Sequence, residues 1–333
     1  VTKRGRDVRL RTIDLFCGGG GSSWGAKAAG AEIVRGIDAW DLAARTYESN
    51  FGEGRGVTLR MEENTRPAVL GDIGPIDLIL ASPECTHHTC ARGNRPRDEG
   101  SRLTANYIIN FAEDLKPRWM VLENVIHMRG WQGYEALLGK LRGLGYHVRD
   151  QILDAADFGV PQGRRRLFLL CDNVHLPLPV RPIAGGPRTV KEHILLDPTG
   201  TWRSRPLVTD KRASGTLERA GRAIQALGRG VPFLIVYYGS DGSGGWQPLD
   251  RPIRTLTTLD RFGLVTWQGD TPMLRMLQVP ELRRAMGFDD GYVLPHGSRR
   301  DRIRLLGNGV CPPVMEAIIR SMTTTNCAFM AAE

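Results

Sequence analysis

The tightest constraint on this chain is one short passage near its start. An apolar, β-rich run, Thr12–Phe16, passes directly into Cys17 and four glycines, and then into a helical stretch at Ser22–Ala29. A strand that turns through glycines into a helix presents backbone N–H groups at the helix's positive end and lets a ligand approach the main chain closely. The dinucleotide pattern GxGxxG is incomplete, because Gly18 and Gly20 fit it while Ser23 stands at its last glycine. Alone, the passage suits a nucleotide-binding turn or an ordinary tight turn.

Its surroundings repeat the same plan. Strand-like runs at Glu32–Ile37, Ile76–Ala81, Trp119–Leu122 and Leu167–Cys171 alternate with helical stretches at Asp41–Ser49, Leu103–Leu115 and Tyr134–Leu144. That alternation predicts a parallel, doubly wound sheet with helices on both faces. From Asp172 to about Pro272 the chain is rich in proline, glycine and arginine and has few helical periods, and Gly239–Trp246 reads as a loop. Met273–Met322 returns to helical patterning and ends in a helix near Val314–Ile319. The expected division is a first domain at 1–171, a smaller second domain at 172–272, and a segment at 273–333 that rejoins the first.

At 333 residues the chain is long enough for one large core and a satellite. No run approaches the roughly 20 apolar residues of a membrane span, and no secretory apolar core follows the basic start, so no membrane is expected and the cytoplasm is. The six cysteines are scattered, at positions 17, 85, 90, 171, 311 and 327, and read as reduced thiols. A net charge of +9 favours a polyanionic partner. Only six of the 45 basic residues are lysine, and arginine's planar fork suits phosphate and guanine, although a GC-rich genome also raises arginine.

The chemistry-bearing residues fall near strand ends. Asp38 closes EIVRGID, where a carboxylate can bond ribose hydroxyls, and Asp72, in VLGDI, ends another candidate strand within reach of an adenine amine. Each could equally cap a turn or helix. Cys85 stands just past the strand IDLILAS, either a packed thiol or a nucleophile whose thiolate nearby positive charge would favour. WMVLEN brings Glu123 and Asn124 to the same rim, and VPQGRRR brings Gln162, Arg164 and Arg166.

At this point the chain resembles the cytosine-5 DNA methyltransferases. IDLFCGGGG is similar to that family's cofactor loop, LENV to its glutamate motif, VPQGRRR to its QxRxR motif, RMLQVPELRRAMGF to the segment after the recognition domain and GNGVCPPV to its closing motif, all in family order. The resemblance implies an α/β fold, a Rossmann-like doubly wound mixed sheet of the S-adenosylmethionine-dependent methyltransferase type, with a smaller target-recognition domain. It implies S-adenosyl-L-methionine held along Phe16, Gly18, Gly19, Gly20, Gly21, Asp38, Asp72, Ile73, Asn308 and Val310. Cys85 would add to carbon 6 of cytosine and make carbon 5 nucleophilic, with Glu123 bonding N3 and the exocyclic amine. Arg164 would help hold the base, with Gln162 and Arg166 in support, and the base must leave the duplex to be reached. The partner would be double-stranded DNA, met by Arg92, Arg95 and Arg97 on a loop at 86–101 that closes over the base. Arg251, Arg254 and Arg261 would meet base edges or phosphates. A monomer is expected, with a cognate restriction endonuclease as a possible companion.

Two departures stand out. The family places proline directly before the nucleophile; here Pro83 lies one position earlier and Glu84 adjoins Cys85, where an inward carboxylate would raise the thiol's pKa. The tryptophan that often follows the ribose-binding acid is shifted by one, to Trp40. Cys85, His87, His88 and Cys90 invite a zinc reading, but adjacent histidines converge poorly on one ion and no metal is expected. Rival functions are a tRNA cytosine-5 methyltransferase, a non-catalytic DNA-binding relative, and a zinc deaminase whose HxE and PCxxC pattern is missing.

Overall fold

The structure is a computed structural model that describes residues 10–83, 99–197, 202, 204–238 and 244–330. Its large sheet has seven strands among the described residues. β1 (Arg11–Leu15), β2 (Glu32–Asp38), β3 (Gly56–Thr58), β4 (Leu78–Ala81) and β5 (Trp119–Asn124) are mutually parallel, in the order β3-β2-β1-β4-β5. These five strands are parallel, as the strand–helix alternation predicts, and beyond β5 the sheet becomes mixed, as the family resemblance implies. β7 (Arg165–Asp172) inserts between β5 and β6 (His147–Asp154), antiparallel to both. The link at 155–164 is shorter than the roughly a dozen residues of a parallel crossover, so β7 can only run back beside β6. β6 escapes the sequence reading because it is an edge strand, its side chains mostly half exposed.

The apolar runs of the central strands bury both faces, as a doubly wound sheet requires. Leu78 and Leu80 of β4, Val121 of β5, and Phe168 and Leu170 of β7 face one layer. That layer takes in Ala26 of α1 (Gly21–Ala28), Tyr47 and Phe51 of α2 (Asp41–Phe51) and Ile318 of α9 (Pro312–Met330). The intervening residues, Ile79, Met120, Leu122, Leu167 and Leu169, face Ile108 and Phe111 of α3 (Glu99–Leu115) and Leu137 and Leu141 of α4 (Tyr134–Gly143).

A second, antiparallel sheet follows in the order β10-β9-β11-β12-β8. Its strands are β8 (Arg205–Pro206), β9 (Phe233–Val236), β10 (Trp246–Pro248), β11 (Phe262–Gln268) and β12 (Thr271–Met276). Alternation again serves two layers: Phe233 and Ile235 pack on Ala220 and Ala223 of α6 (Ser214–Leu227), while Leu234 and Val236 join the core of the large sheet. α6 corrects the reading of 172–272 as poor in helix; its apolar positions are few and set among arginines and glycines. β12 continues through Met276, past the boundary expected at Pro272.

Shorter helices α5 (Val190–His193), α7 (Val279–Ala285) and α8 (Arg299–Asn308) tie the sheets together. α7 and α8 each start with a capping box, Gln278 with Glu281 and Ser298 with Asp301. Glu281 does more than cap: it is buried against Arg275 of β12, with two guanidinium nitrogens at 2.8 Å from its two oxygens. No helix among the described residues is long and apolar enough to cross a membrane.

Candidate active site

The loop after β1 bends sharply because three of its residues adopt left-handed backbone, Phe16 (φ 58°), Gly18 (φ 52°) and Gly20 (φ 88°). Phe16 takes this conformation without being glycine, a strain of order 1–3 kcal/mol that the surrounding packing must hold. The four glycines divide by what stands beside them. A Cβ at Gly18 would meet nothing within 4 Å. Side chains at Gly19, Gly20 and Gly21 would strike Tyr292 Oη at 2.6 Å, Phe51 Cε2 at 2.5 Å and Val310 O at 2.2 Å. Gly18 therefore borders open space suited to a ligand, and the next three glycines let α2, Tyr292 and the turn before α9 close on the loop. Tyr292 Oη donates to Gly19 O at 2.6 Å.

Asp38 organises this mouth. One carboxylate oxygen accepts from Gly18 N at 2.9 Å and the other from Trp40 N at 2.8 Å, joining the glycine loop to the start of α2. Beneath the loop lies Asp14, which the sequence reading passed over although a carboxylate inside an apolar strand is a visible signal. It is fully buried, and burial lifts its pKa from 3.8 to about 7, against the bonds from Ser23 and with the charge of Asp38 adding to the rise. Ser23 Oγ donates to Asp14 Oδ2 at 2.7 Å and lies 2.7 Å from Tyr47 Oη. Asp14 Oδ1 has no hydrogen-bond partner among the described residues.

Asp72 corrects an expectation. VLGDI forms no strand: Pro67–Leu70 is a 3-10 turn, Gly71 follows with φ 70°, and Asp72 is exposed, accepting from Gly74 N at 3.1 Å. Ile73 is buried, and its carbonyl accepts from Arg11 at 2.6 Å. At the far side of the mouth Asn308 is exposed at the end of α8 and Val310 is buried against Gly21.

The chemistry-bearing rim lies at the ends of β4 and β5. Ser82 N donates to Leu15 O at 3.1 Å, and Asn124 Nδ2 donates to Pro83 O at 3.2 Å. Cys85, Glu84, His87, His88, Cys90, Arg92, Arg95 and Arg97 lie outside the described residues. Glu123, next to Asn124, is buried, with Oε1 3.2 Å from Arg166 Nε. Burial raises its pKa above the usual 4.5, and the charges of Arg166 and then Arg164 pull the other way.

Arg164 and Gln162 act as ties across the chain. Arg164 is buried; Nη1 donates to Leu256 O at 3.1 Å, and Nη2 donates to Gly307 O and Gly309 O, both at 2.9 Å. Asp154 holds its backbone, accepting from Arg164 N at 2.9 Å. Gln162 is fully buried, donating to Ala285 O at 2.9 Å and accepting from Leu256 N at 2.8 Å. Both join the VPQGRRR segment to residues about a hundred positions later, which no local pattern reveals. Cys311 lies in the field of Arg164, Arg166, Glu123 and Asp154, and burial raises its thiol to about 11.

The arginines expected to meet DNA differ in what they touch. Arg251 is well exposed beside Asp250. Arg254 Nη2 donates to Trp246 O at 3.2 Å, and Arg261 Nη1 donates to Tyr237 O at 2.9 Å, so both brace strands that flank residues 239–243. Among the described residues no cluster of three or more His, Cys, Asp or Glu could hold a metal ion.

Known proteins resemble this chain in sequence and in fold. The family model described as C-5 cytosine-specific DNA methylase matches residues 10–194 and 216–324. Type II methyltransferase M.HgiDI of Herpetosiphon aurantiacus is 34% identical over 285 residues, 78% of this chain and 84% of the relative. Type II methyltransferase M.HhaI of Haemophilus parahaemolyticus is 26% identical over 331 residues, 93% of each chain. The Dnmt2 methyltransferase of S. pombe has a similar fold, with a TM-score of 0.67 and 19% identity over 96% of this chain and 99% of that one.

Proposed function

This chain belongs to the C-5 cytosine-specific DNA methylase family, and from that premise we propose that it methylates carbon 5 of a cytosine flipped out of duplex DNA, through a covalent adduct to Cys85. The observation that carries the reading is Glu123, a buried carboxyl with a raised pKa, braced by Arg166 beside the strand end that leads to Cys85. Burial keeps its proton on at higher pH than an ordinary carboxyl would. Glu123 can then donate to N3 of cytosine while its other oxygen accepts from the exocyclic amine, drawing electrons out of the ring as Cys85 attacks.

The Cys85 thiolate forms a bond to carbon 6, and the ring electrons move to carbon 5. Carbon 5 then takes the methyl group, loses its proton, and the carbon–sulfur bond to Cys85 breaks to restore the aromatic ring. S-adenosylmethionine, when bound, supplies the electrophilic methyl group. The loop fits it: Gly18 leaves room for a ligand, and Asp38, Trp40, Asn308 and Val310 surround the same mouth. Phe16 and Gly19 to Gly21 shape that mouth, and Asp72 and Ile73 would contribute from the loop before β4. In this reading Arg164 and Gln162 position the base-binding segment from behind.

The division into catalytic residues 1–171, recognition residues 172–272 and returning residues 273–333 belongs to the same proposal. So do duplex contacts by Arg92, Arg95, Arg97 and Arg251, a monomeric enzyme working in the cytoplasm, and a cognate endonuclease. The test is incubation with S-adenosylmethionine and mixed-sequence duplex DNA, followed by base-resolution mapping of methylcytosine. We expect 5-methylcytosine in a defined sequence; N4-methylcytosine, N6-methyladenine, or methylation of tRNA alone would overturn the reading. On DNA carrying 5-fluorocytosine, whose fluorine cannot leave as a proton does, the native protein should form a stable adduct and Cys85→Ala none.

A further inference from the structure

α8 carries one exposed stripe, Arg300, Arg304 and Asn308, spaced four residues apart and therefore on one face. The stripe ends at Asn308, beside the turn whose Val310 presses on Gly21 of the glycine loop. One turn earlier, the Arg304 guanidinium lies over the indole of Trp40, 4.6 Å from the ring centroid. The backbone of Trp40 is anchored through its main-chain N–H to Asp38, the carboxylate that also holds Gly18. The glycine loop, the end of β2, the start of α2 and the face of α8 thus meet at one mouth.

Trp40 stays partly exposed. A guanidinium covers one face of an indole and leaves the other for a flat aromatic ligand. A tryptophan at a helix start would otherwise sample several rotamers, and a ligand stacking on it would bear the cost of ordering it. A planar guanidinium is suited to holding it, since it stacks on the ring as well as attracting its electron-rich face.

We propose that Arg304 is a positioning residue for cofactor binding, which stacks on Trp40 and holds the indole as a platform for the adenine ring of S-adenosylmethionine. The inference rests on the reading of the glycine loop as the cofactor site and of Trp40 as the family's cofactor tryptophan, and what it adds is the role of Arg304. Arg304 acts only through Trp40, so its contribution vanishes when the indole is removed.

The experiment is calorimetric titration of the full chain with S-adenosylhomocysteine, without DNA, for the native protein, Arg304→Ala, Arg304→Lys, Trp40→Ala and the double variant Trp40→Ala/Arg304→Ala. Arg304→Ala should weaken binding roughly two- to five-fold, with Arg304→Lys recovering part of the loss. Trp40→Ala should weaken it further, and adding Arg304→Ala to it should change nothing more. In the enzyme assay Arg304→Ala should raise KM for S-adenosylmethionine and leave kcat unchanged, and its thermal unfolding should match the native protein's. Native affinity in Arg304→Ala, or losses that add in the double variant, would overturn the proposal alone. A native protein that binds no S-adenosylhomocysteine would overturn the cofactor reading and this proposal with it.

Discussion

Single residues at this site are defined by burial as much as by identity. Glu123 and Asp14 are both carboxylates inside apolar surroundings, and burial raises both pKa values, but only Glu123 is flanked by arginines that oppose the rise. If protonated Glu123 is the working form, kcat falls on the alkaline side as it loses its proton. Glu123→Gln should remove that limb and lower kcat by about 10²–10⁴-fold, with affinity for S-adenosylhomocysteine unchanged. Asp14 makes a prediction about stability. Its folded pKa of about 7 exceeds the ordinary 3.8, so its contribution is complete below 3.8 and is lost as pH rises through about 7. Asp14→Asn should flatten that slope when thermal unfolding is followed from pH 4 to 8; an unchanged slope would assign the pH dependence elsewhere. Glu123, Gln162, Arg164 and Arg166 were singled out from the sequence, as was Cys85, which lies outside the described residues. What Gln162 and Arg164 hold was not legible there, because their partners are backbone carbonyls and amides far along the chain.

At the scale of elements, the site depends on how closely α1 meets α9 and its preceding turn. A Cβ at Gly21 would stand 2.2 Å from Val310 O, and one at Gly25 would stand 2.3 Å from Pro312 O, both against backbone. Backbone cannot swing aside as a side chain does, so Gly21→Ala and Gly25→Ala should each cost about 1–3 kcal/mol in denaturant unfolding. Gly21→Ala should also weaken S-adenosylhomocysteine binding, since the loop would shift away from Val310. Gly18→Ala makes the contrast: it meets no neighbour, so it should pack without a clash while its left-handed backbone carries a penalty of about 1 kcal/mol. The strand-to-helix alternation made most of these elements readable, with most bounds within a few residues of the expected ones, although α9 runs to Met330, well past the Ile319 expected. β6 and α6 were missed because an edge strand and a thinly apolar helix leave weak periodic signals.

Across the whole molecule, two buried arginines join segments that the chain order separates. Arg164 binds carbonyls at 256, 307 and 309, and Arg275 meets Glu281 and Asp197 O where the small sheet adjoins α7. Arg275→Met would leave Glu281 charged and buried without its partner, costing about 3–5 kcal/mol. The double variant Arg275→Met/Glu281→Gln should recover much of that in thermal unfolding, because neither charge then remains in the core. A double variant as unstable as the single would show that Arg275's other contacts dominate. The two sheets share one apolar layer through Leu234, Val236 and Leu264, so the small sheet is held against the large one by core packing as well as by these ions.

By itself the sequence determined the alternating α/β plan, the glycine turn at the end of β1, and the order of motifs that marks a cytosine-5 methylase. These are local patterns: periodicity, turn chemistry and short motifs persist in the chain whatever lies beside it. Tertiary structure decided the antiparallel place of β7, the packing duty of Gly19 to Gly21, the exposed position of Asp72, and the meeting of Trp40 with Arg304. Each of those depends on which distant segments come together. A pattern read along one dimension carries no record of such approach, and only burial and contact in the folded chain supply it.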